Sequence, residues 1–124
     1  MRAAATVGLC LGLVTAACDK ARVEPQAIAG ASPGRGLSLI REAACGACHV
    51  IPGVEWPKGV VGPSLEGFAD RGLIAGRFPN QPALLAAWVR NAPAMDPQTG
   101  MPPAALSEQE ARDVAAYLYT LRAR

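Results

Sequence analysis

The chain has 124 residues and a nearly balanced charge, with twelve Lys and Arg against ten Asp and Glu and a net charge of +2. This length fits a single domain, and the absence of a basic stripe or a lysine-rich face excludes nucleic acid as the expected partner. Composition alone does not indicate the function, which has to be inferred from the motifs.

The N-terminus has the pattern of a secretory signal. Met1 and Arg2 form a short positive region, and the uncharged apolar run over 3–17 is too short to predict a membrane-spanning helix. Small residues then lead into Cys18, as in the lipobox of bacterial lipoproteins, where the cysteine is acylated. Residues 1–17 are therefore predicted to be a lipoprotein-type signal peptide, with Cys18 as the lipidation site. The alternative is an ordinary signal peptide followed by an incidental cysteine.

The segment after the signal predicts a linker. Residues 18–34 lack periodicity and end in Ser-Pro-Gly, which indicates a flexible tether before a folded domain over 35–124. The domain is predicted to open with a helix over 35–44, because apolar residues recur there at three- and four-residue spacing.

The motif Cys45-Gly46-Ala47-Cys48-His49 is the most informative feature of the chain. Two thiols at this spacing can each bond to a vinyl group of a haem, and the histidine after them becomes an axial ligand of the iron. The competing interpretations are a thiol redox pair and part of a zinc site. A thiol redox pair would be expected within a βαβ unit, and the sequence shows no such pattern. A zinc site would need more ligands, and His49 is the only histidine of the chain. We therefore expect one covalent haem c.

Further helices are predicted beyond a loop over 49–63. A short helix is expected over 64–71 and a longer one from Asn80-Gln81-Pro82 to near Asn91, followed by a proline-rich extended loop over 92–105. Ser107-Glu108-Gln109-Glu110 has the capping-box pattern that starts a final helix. The apolar face of that helix comprises Ala111, Val114, Ala115, Leu118 and Leu121. No segment predicts a strand, so the expected fold class is all-α, a small bundle of about four helices around the haem.

The second axial position of the iron has several candidates. Without a second histidine, the choices are Met101, Met95, Lys58 or no protein ligand. Met101 precedes Pro102-Pro103, which stiffens the loop and favours an extended backbone, so Met101 is preferred to Met95. Either methionine could instead fill a gap in the core, and Lys58 would first have to lose its proton.

The order of these motifs resembles the class I cytochrome c family over nearly all of 35–124. The matching features are a helix leading into CxxCH, then Gly62-Pro63-Ser64-Leu65, then Met101-Pro102, and a last helix containing Ala116-Tyr117-Leu118. The resemblance implies a cytochrome c-like bundle with one haem held by Cys45 and Cys48.

The resemblance also implies roles for residues outside the CxxCH motif. The Pro63 carbonyl would accept a hydrogen bond from His49 Nδ1–H, and Gly36 would let the first helix cross the last near Tyr117 or Leu118. Trp88 and Arg77 would lie by the haem edge. The alternatives are a core aromatic for Trp88 and a solvated surface residue for Arg77.

Axial ligation predicts the function. An iron with strong ligands on both faces has no free position for a substrate and changes oxidation state with little rearrangement, so a one-electron carrier is expected rather than an enzyme. One alternative is a haem-based gas-binding sensor, in which Met101 is not a stable ligand. The other is an assembly lipoprotein that binds a metal through CxxCH.

The expected location is the periplasmic side of the inner membrane, because Asp19 resembles a retention signal of Gram-negative lipoproteins. The predicted partners are a quinol-oxidising complex that donates electrons, a terminal oxidase that accepts them, and the membrane surface itself. Anchoring carrier and partners in one membrane would raise their effective concentration.

Overall fold

The computed structural model describes residues 26–124. In chain order these contain helix α1 (Pro33–Glu42), 3-10 helices at Cys45–Ala47 and Phe68–Asp70, strands β1 (Leu73–Ile74) and β2 (Phe78–Pro79), and helices α2 (Pro82–Met95) and α3 (Glu108–Leu118). The mainly helical fold is confirmed, with three α-helices in the described residues rather than about four. The predicted signal peptide over 1–17 and the predicted lipidation site at Cys18 lie outside the described residues.

Helix α1 begins two residues before its predicted start. Pro33 occupies the first helical position, where its missing N–H costs nothing, and the Ser32 hydroxyl accepts a hydrogen bond from Arg35 N at 3.3 Å. The helix ends at Glu42 because Ala44 adopts a left-handed conformation, with φ of 52°. This change of direction leads into the CxxCH segment.

Helices α1 and α3 cross closely at a buried glycine. A Cβ at Gly36 would lie 2.6 Å from the Asp113 carbonyl carbon and 3.0 Å from Val114 N, so only glycine fits this crossing. The expected crossing near Tyr117 or Leu118 is therefore wrong by about one helical turn. The Asp113 carboxylate, 3% exposed, fixes the same crossing, since it accepts from Ser32 N at 2.8 Å and pairs with Arg35 Nε at 3.4 Å.

The start of α3 matches the predicted capping box. The Ser107 hydroxyl accepts from Glu110 N, and the Glu110 carboxylate accepts from Ser107 N at 2.8 Å. The predicted apolar face is confirmed as core for Ala111, Val114, Ala115 and Leu118, which are all buried. Leu121 is buried as well, but it lies beyond the end of α3 at Leu118.

Helix α2 has a break at the position where it was predicted to end. Asn91 has non-helical angles (φ −155°, ψ 75°), but helical structure resumes and continues to Met95. The Asn91 side chain accepts a hydrogen bond from Ala94 N at 3.3 Å and so caps the turn that follows it. The expected extended loop over 92–105 is therefore wrong for 92–95.

Two short elements also differ from the sequence-based prediction. The helix expected over 64–71 is reduced to the 3-10 turn Phe68–Asp70, because Gly67 before it is left-handed, with φ of 63°. The prediction of no strand is wrong as well, since Leu73 pairs with Pro79 and Ile74 with Phe78. Strands of two residues are too short to produce a periodic pattern.

The N-terminal end of the described chain lies on the domain. Residues 26–34 belong to the segment that was predicted as tether, but Arg112 donates to Ala29 O at 2.8 Å and Gln109 donates to Gly30 O at 3.0 Å. Ile28 is half-buried against the core. We call residues 26–32 the N-terminal strap.

Candidate haem-attachment site

The CxxCH segment forms a single tight turn at the end of α1. The 3-10 helix Cys45–Ala47 carries the first thiol, and Cys48 N and His49 N both donate to Cys45 O, at 3.2 and 3.1 Å. Both thiols are free, and the side chains of Cys45, Cys48 and His49 are half-buried. One turn therefore holds two thiols and an imidazole on a fixed backbone.

The environment of Cys45 disfavours a thiol redox pair. Burial raises the pKa of the Cys45 thiol; a backbone hydrogen bond lowers it by less, and the nearby Cys48 adds a still smaller increase. Reactive cysteines in redox pairs have lowered pKa values, because the thiolate is the nucleophile. A half-buried Cys45 thiol with a raised pKa lacks that activation.

The orientation of His49 is set by a backbone carbonyl. Its Nδ1 lies 2.7 Å from Pro63 O, which is the contact that the family resemblance implies. A carbonyl oxygen can only accept, so Nδ1 carries the proton and the lone pair is on Nε2. This tautomer leaves Nε2 as the atom that can bind a metal.

The loop over 56–62 lies directly on the CxxCH turn. Gly59 N donates to Gly46 O at 2.8 Å, and Gly62 N donates to Cys48 O at 2.8 Å. A Cβ at Gly46 would lie 2.6 Å from Pro57 O, so the two backbones touch where side chains would keep them apart. Lys58, the third candidate ligand, lies on this loop with an exposed side chain.

The Met101 segment is an ordered loop between α2 and α3. Met101 N donates to Thr99 Oγ1 at 3.2 Å, and Thr99 N donates to Asp96 O at 3.0 Å. The Asp96 carboxylate accepts from Gln98 N at 3.1 Å, which closes the turn. Met101 is half-buried against the core, and so is Met95 at the end of α2. Burial therefore does not distinguish Met101 from Met95 as the second axial ligand.

The two residues expected at the haem edge have partners within the protein. Trp88 is buried in the core, with its ring centroid 5.8 Å from that of Phe78. Arg77 is exposed and pairs with Asp96, with its Nη1 3.2 Å from Oδ2. Trp88 therefore packs in the core, and the ion pair holds the guanidinium of Arg77 at the start of the Met101 loop; the place of both residues by the haem edge stays a prediction.

The donor set of the turn suits a haem c better than a bare metal ion. In the described part of the chain, no group of three or more His, Cys, Asp and Glu side chains is arranged to hold an ion. The turn instead offers two thiols for covalent attachment and one imidazole whose tautomer is fixed by Pro63 O. Cys45, Cys48 and His49 are therefore the residues that would hold a haem.

The fold and this turn define a small helical protein of the haem-attaching class, and the comparisons with known proteins agree. The family model for cytochrome c matches residues 34–122, so the chain belongs to the cytochrome c family. This membership implies covalently bound haem c and supports a haem-based electron carrier.

Among solved structures, the chain resembles SoxXA from P. pantotrophus. The two chains share 27% sequence identity with a TM-score of 0.59, and the match covers 74% of this chain and 82% of that one. None of the curated proteins compared with the chain matches it.

Sequence reasoning did not find several residues that position the site. Gly46 and Gly59 look like ordinary loop glycines, and Asp96 looks like a surface carboxylate. Each acts through a contact with a residue distant in sequence or with the backbone of its own turn. The Gly-Pro pair at 62–63 is a sequence signal for this part of the site, but the family resemblance assigned a role to Pro63 and none to Gly62.

Proposed function

We propose that the protein is a one-electron carrier with a single haem c, attached through Cys45 and Cys48 and ligated by His49 and Met101. The observation that carries this proposal is the contact between His49 Nδ1 and Pro63 O, at 2.7 Å, within the CxxCH turn. A histidine oriented in this way through its Nδ1–H is the usual arrangement for a metal ligand.

Each residue of the site has a defined task in this proposal. The thiols of Cys45 and Cys48 hold the group in place, and the Pro63 carbonyl increases the electron donation of His49 through its hydrogen bond. The haem supplies reversible one-electron chemistry between ferric and ferrous iron. A thioether from Met101 would favour the ferrous state and close the second axial position to substrates.

The order of the Met101 loop supports this residue as the second ligand. A weak thioether ligand needs a loop that holds it in place, and Asp96 and Thr99 provide three hydrogen bonds within the turn before Met101. Met95 is the last residue of helix α2 and lies before this turn. We therefore prefer Met101 to Met95.

The proposed setting is a respiratory chain on the periplasmic side of the inner membrane, with Cys18 as a lipid anchor. Since the N-terminal strap lies on the domain, only the seven residues from Asp19 to Pro25 separate Cys18 from the first described residue, a path of eight residue steps. Eight residues span at most about 29 Å when fully extended. Partners anchored in the same membrane, such as a quinol-oxidising complex and a terminal oxidase, would lie within this reach.

The ligand assignment is tested by ferric visible spectra of the protein expressed with haem maturation. We expect the weak sulfur-to-iron charge-transfer band in wild type and in Met95→Ala, and its loss in Met101→Ala. A covalent haem without this band in wild type would contradict methionine ligation and favour a gas-binding sensor, which fast binding of carbon monoxide to the reduced protein would then reveal.

The anchoring assignment is tested separately with Cys18→Ser. We expect this variant to be released from the membrane and to transfer electrons to membrane-bound oxidase more slowly than wild type at equal bulk concentration. Equal turnover of the two forms would refute a role for the anchor.

A further inference from the structure

The backbone of Gly62 lies against the imidazole ring of His49. A Cβ at position 62 would be 2.7 Å from Nδ1 and 2.9 Å from Nε2, and nearer still to Cε1. Ordinary van der Waals contact for a Cβ begins at about 3.4 Å. Position 62 therefore has space for hydrogen and not for a methyl group while the ring stays where it is.

The ring has little freedom to move away from this contact. The His49 Nδ1–H donates to Pro63 O at 2.7 Å. The preceding residue, Cys48, is also held in place, because its carbonyl oxygen accepts from Gly62 N at 2.8 Å. The same short segment, Gly62-Pro63, therefore contacts the imidazole twice. The Pro63 carbonyl oxygen accepts the hydrogen bond from Nδ1, and the Gly62 backbone packs against the ring. Moving the ring by the 0.7 Å needed for Nδ1 to reach contact distance would strain the hydrogen bond to Pro63.

We propose that Gly62 is a positioning residue, which sets where the His49 imidazole sits and hence where Nε2 is presented to the haem iron. This inference rests on the proposed haem function. A side chain at position 62 would displace the ring and weaken the Nδ1–H hydrogen bond. An imidazole with a weaker Nδ1–H hydrogen bond is a poorer electron donor, which favours the ferrous state.

The test compares wild type, Gly62→Ala and Gly72→Ala, each expressed with haem maturation. Gly72 is the matched control, because a Cβ there meets no atom within 4 Å and its backbone is not left-handed. The measurements are the covalent haem content, the reduction potential, and the hyperfine-shifted NMR signals of the His49 ring in the ferric protein.

In Gly62→Ala we expect displaced His49 ring signals and a raised reduction potential, with the covalent haem retained. In Gly72→Ala we expect ring signals and a potential equal to those of wild type. Wild-type ring signals and potential in a haem-loaded Gly62→Ala protein would overturn the inference and leave the proposed function standing. Absence of covalent haem from wild type would overturn the proposed function itself.

A second comparison applies if Gly62→Ala gives too little protein for spectroscopy. The same substitution is then made in a His49→Ala background, where the ring is gone and the added methyl group has room. We expect Gly62→Ala to lower the protein yield in the wild-type background and not in the His49→Ala background. Equal losses in both backgrounds would show that the methyl group collides with something other than the imidazole, and would overturn the inference.

Discussion

Replacing Gly36 with alanine tests the close crossing of α1 and α3, which places the CxxCH turn relative to the rest of the domain. The new Cβ would lie 2.6 Å from the Asp113 carbonyl carbon and 3.0 Å from Val114 N. The obstacle is the backbone of a helix, so the two helices have to separate. Overpacking of this kind costs about 1–3 kcal/mol.

A second effect of the same substitution has the opposite sign. Alanine is favoured over glycine inside a helix by about 0.8–1.0 kcal/mol. Because the clash is with backbone and not with a flexible side chain, we expect the steric term at Gly36 to exceed this gain. The net result should be a loss of up to about 2 kcal/mol in the free energy of unfolding.

Gly34 supplies the matched control within the same helix. A Cβ at Gly34 meets no atom within 4 Å, so Gly34→Ala should keep the propensity gain without the clash. Denaturant unfolding of the ferric holoprotein should place the midpoint of Gly36→Ala below wild type and that of Gly34→Ala at or slightly above it. A Gly36→Ala protein as stable as Gly34→Ala would refute the close crossing.

Three further predictions concern charge, loop order and the N-terminal strap. The pKa of Glu110 lies below its usual value, first because its carboxylate accepts a hydrogen bond from the Ser107 backbone N–H. The stability that the capping box contributes should therefore be present above about pH 4.5 and be lost as the pH falls further. Glu110→Gln should reduce this loss of stability at acid pH in unfolding measurements. Asp96→Ala removes the turn and ion pair that order the Met101 loop, so the sulfur-to-iron band should disappear at a lower temperature than in wild type, whereas an unchanged melting profile would refute the role of Asp96. Ile28→Ala should lower the free energy of unfolding by about 1 kcal/mol, less than at a fully buried site because Ile28 is half-buried; an unchanged free energy of unfolding would refute the packing of the strap on the core.

Local patterns predicted much of the helical framework. The capping box at Ser107–Glu110, the apolar face of α3 and the helix leading into CxxCH all depend on residues within a few positions of one another. Such signals can be read from a single sequence because the interacting groups share one turn or one helix face.

Features that depend on distant contacts could not be predicted in the same way. The strap lies on the domain because Gln109 and Arg112, far away in the sequence, bind its carbonyl groups. The position of the crossing at Gly36 depends on which turn of α3 faces it. The continuation of α2 beyond Asn91 depends on a side-chain cap that overrides the expected end of the helix.

The same distinction between local patterns and contacts of distant residues applies to the candidate site. CxxCH and its chemistry follow from spacing alone, and the family resemblance identified Pro63. The fit of Gly62 against His49 depends on two segments coming so close that a Cβ at position 62 would lie less than 3 Å from the ring, and no sequence pattern encodes this approach. The pairing of Arg77 with Asp96 likewise joins the turn after β1 to the loop after α2.

The most direct test of the central claim, a haem held covalently by Cys45 and Cys48, is the intact mass of the unfolded protein after expression with haem maturation. We expect wild type to carry the added mass of one haem, and a Cys45→Ala/Cys48→Ala variant to carry none. A wild-type chain of unmodified mass, with zinc and no haem in metal analysis of the folded protein, would contradict the claim.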